Sequence, residues 1–538
     1  MPTSCQTAPS LLETLLDSAA RNAERPALVQ GSAVVSYADA FDAARSVAAT
    51  ISGRLPTNGS RFVGLVGARS VSTYQQLLGI LLAGRGYLPL EPEQPAARLV
   101  ALLDRAEVLC VLAESGSLAL VAEICRLSTR PLTVVVTDLP TDSLTTVDRS
   151  GRHLLFGGEL LSPPNDYVQP RVASSDPVYM LFTSGSTGVP KAVVINDGNV
   201  RALLAALSGV IRLGPEDVTA QLFKLSFDPS ALNVLMSLSA GASLVVPSPE
   251  LGVMDEARLI PRHGVTVWSA VPSRSTLMRR MRQLKPEAYP GLRYVIQGGE
   301  ALTSDLAVAW SLAAPNARVL NQYGPTETTV CVVQYMWDPG ASVEECDEGR
   351  VPIGHPLAGV VPAIVDDALN EVPTGAVGEL LVSGPQVCDG YWQDRQRTDQ
   401  AFVTVAGRSG TFYRTGDLVR QATQGGPLHF IGRADHQVKV LGRRIELGEV
   451  EAIARHALQI QEAAAVGWPE TEGGYDGIEL FVVAPAGRRA AGGREELSSL
   501  LPPEAVPRHV HYVDGLPLTA NGKYDRKALR RMLDDSAG

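Results

Sequence analysis

The sequence predicts an α/β fold, in which a large N-terminal α/β region with parallel-rich sheets and a small β unit precedes a small α+β piece at the C-terminus. Apolar, β-rich runs that end in a small or polar turn occur at 61–70, 265–273, 292–302 and 317–327. A helix-like stretch, 73–85, follows the first of them. Strand and helix signals that alternate in this way indicate layers around a largely parallel sheet.

The pattern changes twice further along the chain. After about Val360, short strands with Pro/Gly turns indicate the small β unit, and beyond 432–451 a compact α+β piece follows. In open parallel sheets, ligands bind beyond the carboxyl ends of the strands. The segments 298–300 and 321–328 fall at such ends, so we expect the functional site there.

Length and charge limit the classes of function. The chain has 538 residues, which at roughly 100–200 residues per domain predicts roughly two to four units. Its net charge of -10 argues against a nucleic-acid binder, whose surface is basic. The N-terminus lacks the basic start and apolar core of a signal peptide, and no apolar run approaches about 18 residues. We expect a cytoplasmic protein that engages neither nucleic acid nor membrane.

Cysteine and histidine spacing does not predict a metal centre. The six cysteines form no C-x-x-C pair, so neither a zinc site nor a disulfide framework is indicated. His509 and His511 are the one close pair among eight histidines, and they lack the partner spacing of a zinc site. We interpret them as structural or solvent-facing.

The segment LFTSGSTGVPKAVVIN, residues 181–196, contains a loop rich in glycine and hydroxyl groups that ends in lysine. It is not a Walker A loop, because Pro190 stands at the second glycine position counted from Gly185, and Ala192 follows the lysine in place of a hydroxyl residue. The apolar, β-branched run after Lys191 predicts a strand. The loop therefore joins two strands, and either it wraps an anion or it is an ordinary hairpin loop.

Seven motifs occur in a specific order along nearly the whole chain. They are LLAGRGYLPLEPEQPAARL (81–99), LFTSGSTGVPKAV (181–193), NQYGPTET (321–328), GELLVSG (378–384), YRTGDLVR (413–420), GRADHQVKVLGRRIELGEVE (432–451) and LPLTANGKYDRKAL (516–529). By these motifs the chain resembles the adenylate-forming (ANL) superfamily, and most closely the amino-acid adenylation domains of nonribosomal peptide synthetases. The resemblance implies an adenylation core over 1–432 and a mobile C-terminal lid over 433–538, with a hinge at Asp435.

The resemblance also implies ATP and Mg²⁺ as cofactors, because a carboxylate oxygen attacks the α-phosphate to give an acyl-adenylate and pyrophosphate. That transition state concentrates negative charge, so catalysis needs positioning and electrostatic stabilisation. The implied catalytic residues are Lys523, Glu327, Thr326 and Lys191. Glu327 is also the implied magnesium ligand, since magnesium seeks oxygen. The implied nucleotide-binding residues are Thr183, Ser184, Gly185, Ser186, Thr187, Gly188, Gly299, Asn321, Tyr323, Asp417, Phe430 and Arg433.

Several of these residues have separate roles in the resemblance. The residues of the loop hold the outgoing phosphates. Asn321 and Tyr323 contact adenine, whereas Asp417 accepts the ribose hydroxyls and Arg433 lies close to them. Phe430 stands where the family often has tyrosine, so we expect contact with the nucleotide without a hydroxyl bond.

The stretch LSFDPSALNVLMSLSAGASL (225–244) indicates the class of acid. In the family that the chain resembles, the aspartate of FD pairs with the ammonium of an α-amino acid, and a buried ammonium needs such a partner. The implied pocket residues are Asp228, Pro229, Leu232, Ala270, Ile296, Gly298, Gln322, Val330 and Cys331, with Lys523 completing the set. These walls hold no arginine and no second acid, so they predict a neutral, medium-to-large side chain that Gln322 could hydrogen-bond. Pro229 departs from the small non-proline residue expected there, which leaves a β-amino acid as an alternative.

The ends of the sequence indicate the partner. No carrier segment follows Leu529 and no condensation domain precedes Leu11, so we expect a free-standing enzyme. It would load the phosphopantetheine thiol of a separate carrier protein in nonribosomal peptide or hybrid natural-product biosynthesis, and the need for a small MbtH-like helper protein stays open. An acyl- or aryl-CoA ligase and a non-catalytic nucleotide-binding scaffold are the alternatives. Asp228 argues against the first, and the intact catalytic residues argue against the second.

Replacement of Lys523 tests the assignment of the lid lysine. Its ammonium should meet the α-phosphate and carboxylate oxygens as charge develops. Lys523→Ala should slow adenylate formation by about 10²–10³, the cost of losing one preorganised donor. A rapid-quench measurement of the adenylate burst checks this, with Lys527→Ala as the matched control. Near-normal burst kinetics in Lys523→Ala would contradict the assignment.

Overall fold

The computed structural model of the chain describes residues 8–54, 60–145, 147–148, 150–183, 190–248, 251–434, 437–471, 474–483, 493–518 and 524–537. In its N-terminal region, strands and helices alternate as predicted. The strands are β1 (Pro26–Gln30), β2 (Ala33–Ser36), β3 (Phe62–Val66), β4 (Gly86–Leu90), β5 (Cys110–Ala113), β6 (Thr133–Val136), β7 (Leu154–Gly157), β8 (Pro177–Thr183), β9 (Lys191–Asn196), β10 (Val218–Ala220), β11 (Ser243–Val245), β12 (Val267–Ala270), β13 (Tyr294–Gly298), β14 (Arg318–Tyr323), β15 (Val333–Met336) and β16 (His355–Pro356). The helices are α1 (Leu11–Arg21), α2 (Tyr37–Arg54), α3 (Val71–Leu82), α4 (Ala96–Arg105), α5 (Leu118–Leu127), α6 (Asp197–Ser208), α7 (Pro229–Ser239), α8 (Leu259–His263), α9 (Pro272–Arg280), α10 (Ser304–Ala313) and α11 (Ser342–Glu345).

These strands form two parallel-rich sheets. One has the order β16-β15-β14-β13-β12-β10-β11-β1-β2, and the other has the order β7-β6-β5-β3-β4-β8-β9. Antiparallel pairs, such as β1 with β2 and β8 with β9, lie towards the edges. The apolar strand β3 (FVGLV) is buried along its whole length, as is typical of a strand covered on both faces.

The main core lies between the two sheets. One buried cluster contains Leu244 of the first sheet and Val63 of the second, together with Tyr74 and Leu77 of α3. Helix α3 is apolar around most of its circumference, which is typical of a helix enclosed in a core. The two sheets and the helices between them therefore share one apolar interior.

The small β unit and the C-terminal subdomain follow in the predicted order. The β unit contains β17 (Val361–Val365), β18 (Val377–Ser383), α12 (Arg395–Ala401), β19 (Phe402–Val403), β20 (Phe412–Gln421) and β21 (Leu428–Arg433). The C-terminal subdomain contains β22 (Gln437–Val440), β23 (Arg443–Glu446), α13 (Leu447–Ala457), β24 (Glu462–Gly467), β25 (Glu470–Thr471), β26 (Gly474–Tyr475), β27 (Ile478–Val483), α14 (Gly493–Ser498), β28 (His509–Val513) and α15 (Arg526–Ala537). Its sheets have the orders β23-β22-β26-β25 and β24-β27-β28. This arrangement confirms the predicted fold class.

Two features of the fold position the predicted site. The neighbouring parallel strands β12, β13 and β14 end side by side, with Ala270 opposite Gln297 and Gly298 opposite Gln322. Strands β8 and β9 form an antiparallel hairpin, which confirms the predicted loop between two strands. Across the ranges given above, no helix combines the length and apolar character needed to cross a membrane.

Candidate active site

The β8–β9 hairpin brings Thr183 and Lys191 together as a pair in register. The Thr183 hydroxyl is buried and has no hydrogen-bond partner among the described residues. The Lys191 ammonium lies 5.3 Å from the centroid of the Tyr391 ring. Because an unpaired buried hydroxyl is costly, this end of the hairpin fits a ligand that forms hydrogen bonds, such as a phosphate. The structure does not describe the loop residues Ser184, Gly185, Ser186, Thr187 and Gly188.

Glu327 is fully buried in a short 3₁₀ turn, Thr326–Thr328, beyond β14. Tyr391 donates to its Oε1 at 2.9 Å, and Nη1 of Arg444 lies 3.6 Å from its Oε2. Burial alone would raise the pKa of this carboxyl, but the charges of Arg444 and Lys191 outweigh burial and hold the pKa below its ordinary value. Within the described part of the chain, Oε2 accepts no hydrogen bond. An ionised oxygen of this kind fits a hard cation such as Mg²⁺.

The predicted ribose residues lie together on the β unit. Asp417 on β20 is opposite Arg433 on β21, and Nη1 of Arg433 lies 2.5 Å from its Oδ1. The Tyr323 hydroxyl, at the end of β14, donates to Oδ2 of Asp417 at 2.5 Å. These contacts hold a buried carboxylate beside an aromatic ring, an arrangement that fits a ribose and its base.

The remaining predicted nucleotide residues border the same group. Asn321 on β14 donates through Nδ2 to the Pro352 carbonyl at 2.9 Å. Phe430 on β21 has the Lys439 ammonium of β22 at 5.6 Å from its ring centroid. Gly299 follows β13 with a φ of +82°, a backbone conformation that favours glycine.

Asp228 is a buried carboxylate that precedes α7 without capping it. Pro229 is the first residue of the helix, a position that suits proline because that N–H has no helical partner. Oδ2 of Asp228 is buried and has no hydrogen-bond partner in the described ranges. Burial raises the pKa of Asp228 to about 7, against the opposing effect of a hydrogen bond from Thr326. A carboxylate placed in this way fits an incoming ammonium group.

Most of the predicted pocket walls lie together beside Asp228. One buried cluster contains Leu232, Ile296, Val330 and Cys331. Gly298 and Gln322 lie opposite each other on β13 and β14, on the face that Ile296 shares. A side chain on Gly298 would meet the Gln322 carbonyl at 2.7 Å, so the position stays small. Gln322 in turn donates to Oε1 of Gln334 at 2.9 Å.

The prediction that Ala270 belongs to the pocket wall is wrong. Ala270 packs with Trp268 and Trp310 in a different buried cluster, because successive side chains of a strand point to opposite faces. Its neighbour Ser269 is opposite Ile296 in the register and therefore shares the pocket face. Ser269 thus takes the place of Ala270 in the pocket wall. The alternation of side-chain directions along the strand within VTVWSAVPS (265–273) was the signal that could have identified Ser269.

The C-terminal subdomain lies against this cleft through the turn between β22 and β23. Gly442 in that turn has a φ of +80°, and a Cβ added to it would come within 2.6 Å of the Val271 side chain. Nη2 of Arg443 donates to the Ser226 hydroxyl at 3.1 Å. A cleft of about 590 Å³ lies beside the strands β22 and β23, away from their turn, and its lining includes Lys191, Tyr413, Arg444 and Glu446. The subdomain therefore presents its β22–β23 face to the nucleotide residues.

Sequence reasoning missed two of the contacts around Glu327. Tyr391 and Arg444 both reach it, yet they lie far from it along the chain. Arg444 falls inside the motif at 432–451, but no local pattern indicates its partner. The predicted lid lysine, Lys523, and the predicted hinge, Asp435, lie outside the described residues.

Two family models match most of the chain. The chain matches the model of the AMP-binding enzyme over residues 15–392 and the model of the AMP-binding enzyme C-terminal domain over residues 449–523. The chain therefore belongs to the AMP-binding enzyme family, as an adenylation domain. This confirms the resemblance drawn from its motifs and the predicted enzyme class, an AMP-forming ligase.

Three individual proteins are similar to the chain. A dimodular nonribosomal peptide synthase of Bacillus subtilis is 36% identical over 473 residues, which are 87% of this chain but only 18% of the synthase. The L-proline–[L-prolyl-carrier protein] ligase of Streptomyces coelicolor is 32% identical over 541 residues, which cover 97% of this chain and 96% of that ligase. The Vibrio cholerae adenylation domain AlmE, solved with glycyl-adenosine-5'-phosphate, has a TM-score of 0.86 at 26% identity and covers 99% of this chain and 100% of its own.

The raised pKa of Asp228 predicts a pH-dependent gain in stability for Asp228→Asn. Between pH 3.8, the ordinary pKa of an aspartate, and about pH 7, Asp228 keeps its proton in the folded chain but loses it in the unfolded chain. The contribution of Asp228 to stability therefore falls as the pH rises through this range. At pH 8 the asparagine variant should be more stable, by at most about 4 kcal/mol at about 1.4 kcal/mol per pKa unit. Thermal unfolding at pH 8 and at about pH 4, where the gain should vanish, measures this.

Asp217→Asn is the matched control. Asp217 is equally buried, but its carboxylate is paired with Arg293 at 2.5 Å. Loss of this carboxylate charge leaves Arg293 without its partner and should lower the melting temperature at pH 8. A similar loss in Asp228→Asn would show that Asp228 has a cation partner after all.

Proposed function

We propose that this adenylation domain activates an amino acid as an aminoacyl-adenylate and transfers it to the phosphopantetheine thiol of a separate carrier protein. The observation that carries the proposal is Asp228, a buried carboxylate with an unpaired oxygen beside an apolar pocket. A substrate ammonium would supply the missing positive charge. A carboxylic acid without an amino group would leave Asp228 unpaired, which argues against a CoA ligase of simple acyl or aryl acids.

The cleft residues fit ATP and Mg²⁺ as the groups needed for activation. The unpartnered Thr183 hydroxyl and Lys191 would bind the phosphates, Asp417 and Arg433 the ribose, and Glu327 the metal through Oε2. The metal supplies charge neutralisation to the phosphates when it is bound. The chain's own part is to orient the substrate carboxylate towards the α-phosphorus and to stabilise the charge on the pyrophosphate that leaves.

The pocket supports a neutral substrate side chain of medium to large size. Its described walls are apolar apart from Ser269 and Gln322, and they include Leu232, Ile296, Val330 and Cys331. The Ser269 hydroxyl and the Gln322 amide lie on the same sheet face, where they could hydrogen-bond a polar but uncharged group. Because Pro229 stands at the start of α7, beside Asp228, the proposal includes both α-amino acids and β-amino acids as substrates.

The second half-reaction needs a thiol to reach the adenylate carbonyl, with AMP as the leaving group. The β22–β23 turn with Gly442 lies against the cleft, and we assign this face of the lid to the transfer step. Lys523 would occupy the cleft in the other orientation, during adenylate formation. The change of sheet between Arg433, the last residue of β21 in the β unit, and Gln437, the first residue of β22, supports a lid boundary close to the proposed residue 433. We place the reaction in the cytoplasm, where ATP and a reducing environment suit the free cysteines.

Pairs of acids that differ only in the amino group test the substrate class. In pyrophosphate exchange, the wild type should prefer one amino acid strongly over its desamino analogue. Asp228→Ala should cost the amino acid roughly 2–5 kcal/mol, because its ammonium is left unpaired. The desamino analogue is the internal control, since its rate should not fall in the variant. Wild-type kcat/KM for the amino acid in Asp228→Ala would sink the proposal, whereas matched losses for both acids would indicate misfolding.

Gly442→Ala should separate the two half-reactions. The added Cβ meets Val271 only when the β22–β23 turn lies in the cleft, and overpacking costs about 1–3 kcal/mol, or about 5- to 150-fold in population. Pyrophosphate exchange should be kept, while transfer to pantetheine or carrier thiol should fall by that factor. Gly425→Ala is the matched control, because its φ of +75° imposes the same backbone strain with nothing within 4 Å. Equal losses in both half-reactions would refute the assignment of this face.

A further inference from the structure

A second cluster of metal-ligating side chains lies in the C-terminal subdomain, on the sheet β24-β27-β28. Glu479 of β27 is opposite His509 of β28, and His511 lies two residues further along the same face. Nδ1 of His509 is 3.1 Å from both carboxylate oxygens, and Nε2 of His511 is 2.8 Å from Oε2. One ligand atom from each side chain lies within 4.8 Å of the other two. The histidine pair is thus neither isolated nor merely solvent-facing.

The carboxylate of this cluster is buried and has only the two imidazoles as side-chain partners in the described ranges. Glu479 is 1% exposed, and within the described ranges the two imidazoles are the hydrogen-bond partners of its side chain. No described lysine or arginine pairs with it. The site therefore places a buried carboxylate against two nitrogen ligands.

The two rings differ in how firmly they are held. The His511 ring stacks on Phe481, with centroids 4.8 Å apart and ring planes 23° from parallel. The His509 side chain is 70% exposed. One ligand is therefore positioned by packing, while the other borders solvent, from which an ion and a water ligand can enter.

We propose that Glu479, His509 and His511 bind a divalent transition-metal ion of the Zn²⁺ class. Two imidazole nitrogens and one carboxylate oxygen suit such borderline cations, whereas Mg²⁺ and Ca²⁺ prefer oxygen ligands. Bonds of about 2.1 Å in a tetrahedron separate ligand atoms by about 3.4 Å. The N–O separations of 2.8–3.1 Å are slightly shorter than this, and the two ring nitrogens lie within 4.8 Å of each other, so the rings would have to rotate towards each other to form three ligands. Water completes the set on the exposed side.

The ion would cross-link β28 to β27. Among the described strands β28 pairs with β27 alone, so the ladder along this one edge holds it in the sheet. The chain that leaves β28 at Val513 leads to the segment containing Lys523. A metal ion would anchor the strand from which that segment extends, and its role is therefore structural.

Metal binding by the tag-free, chelator-treated full chain tests the proposal. Titration with Zn²⁺ should show one tight equivalent, and the melting temperature should rise with Zn²⁺ and fall again with EDTA. His509→Ala and Glu479→Gln should each weaken the binding by more than about 10-fold, since even the loss of an outer-shell partner costs 10–100-fold. The Co²⁺ complex should lack a thiolate charge-transfer band, which separates this site from binding by cysteine.

His456→Ala is the matched control, because His456 is an exposed histidine of the same subdomain, on α13. The Zn²⁺ affinity of the His456→Ala variant should equal that of the wild type. His509→Ala is the safer of the two histidine variants, since its exposed ring packs little, whereas His511→Ala also removes the stack on Phe481. Absence of a stoichiometric site, a site that survives His509→Ala, or a shift in stability by pH alone without any Zn²⁺ effect would each overturn the proposal.

Discussion

The cleft is governed by the cost of holding ionised groups away from water. Charge is expensive in a low-dielectric interior unless an opposite charge or hydrogen bonds accompany it. Glu327 and Asp417 meet this constraint with Arg444 and Arg433, which reach them from later parts of the chain. Asp228 does not meet it, and burial raises its pKa to about 7. Asp228 thus has a buried oxygen without a partner among the described residues, and the proposed binding of a substrate ammonium rests on this feature.

Backbone conformation fixes the pocket wall beside that charge. Thr329 and Val330 both have positive φ, of 60° and 67°, which is unusual for β-branched residues. The Thr329 hydroxyl donates to the Gln386 carbonyl at 2.5 Å, and the Gln386 amide donates to the Cys331 carbonyl at 2.8 Å. These bonds hold a strained segment in place, as is common at functional sites. The same segment carries Val330 and Cys331, two residues of the pocket cluster, so these bonds also set where that wall lies.

Local patterns were enough to predict the layers, the β8–β9 hairpin and the strand ends that carry the site. They were not enough for the wall residue on β12, because an error of one residue moves a side chain to the other face of the sheet. Local sequence patterns also did not predict contacts between segments that are distant along the chain. Arg444 meets Glu327 because the C-terminal subdomain packs against the N-terminal region, and Glu479 meets His509 because β27 and β28 align in one particular register. No periodicity in the sequence encodes such an alignment.

The place of Arg444 has a consequence for a loaded cleft. Its guanidinium lies 3.6 Å from Oε2 of Glu327, the oxygen proposed as the metal ligand, so two cations would compete for one carboxylate. A metal ion on that oxygen would displace the guanidinium, whereas the phosphates that accompany the metal would attract it. The cleft with nucleotide and the cleft without it would then differ in the partner of this one side chain.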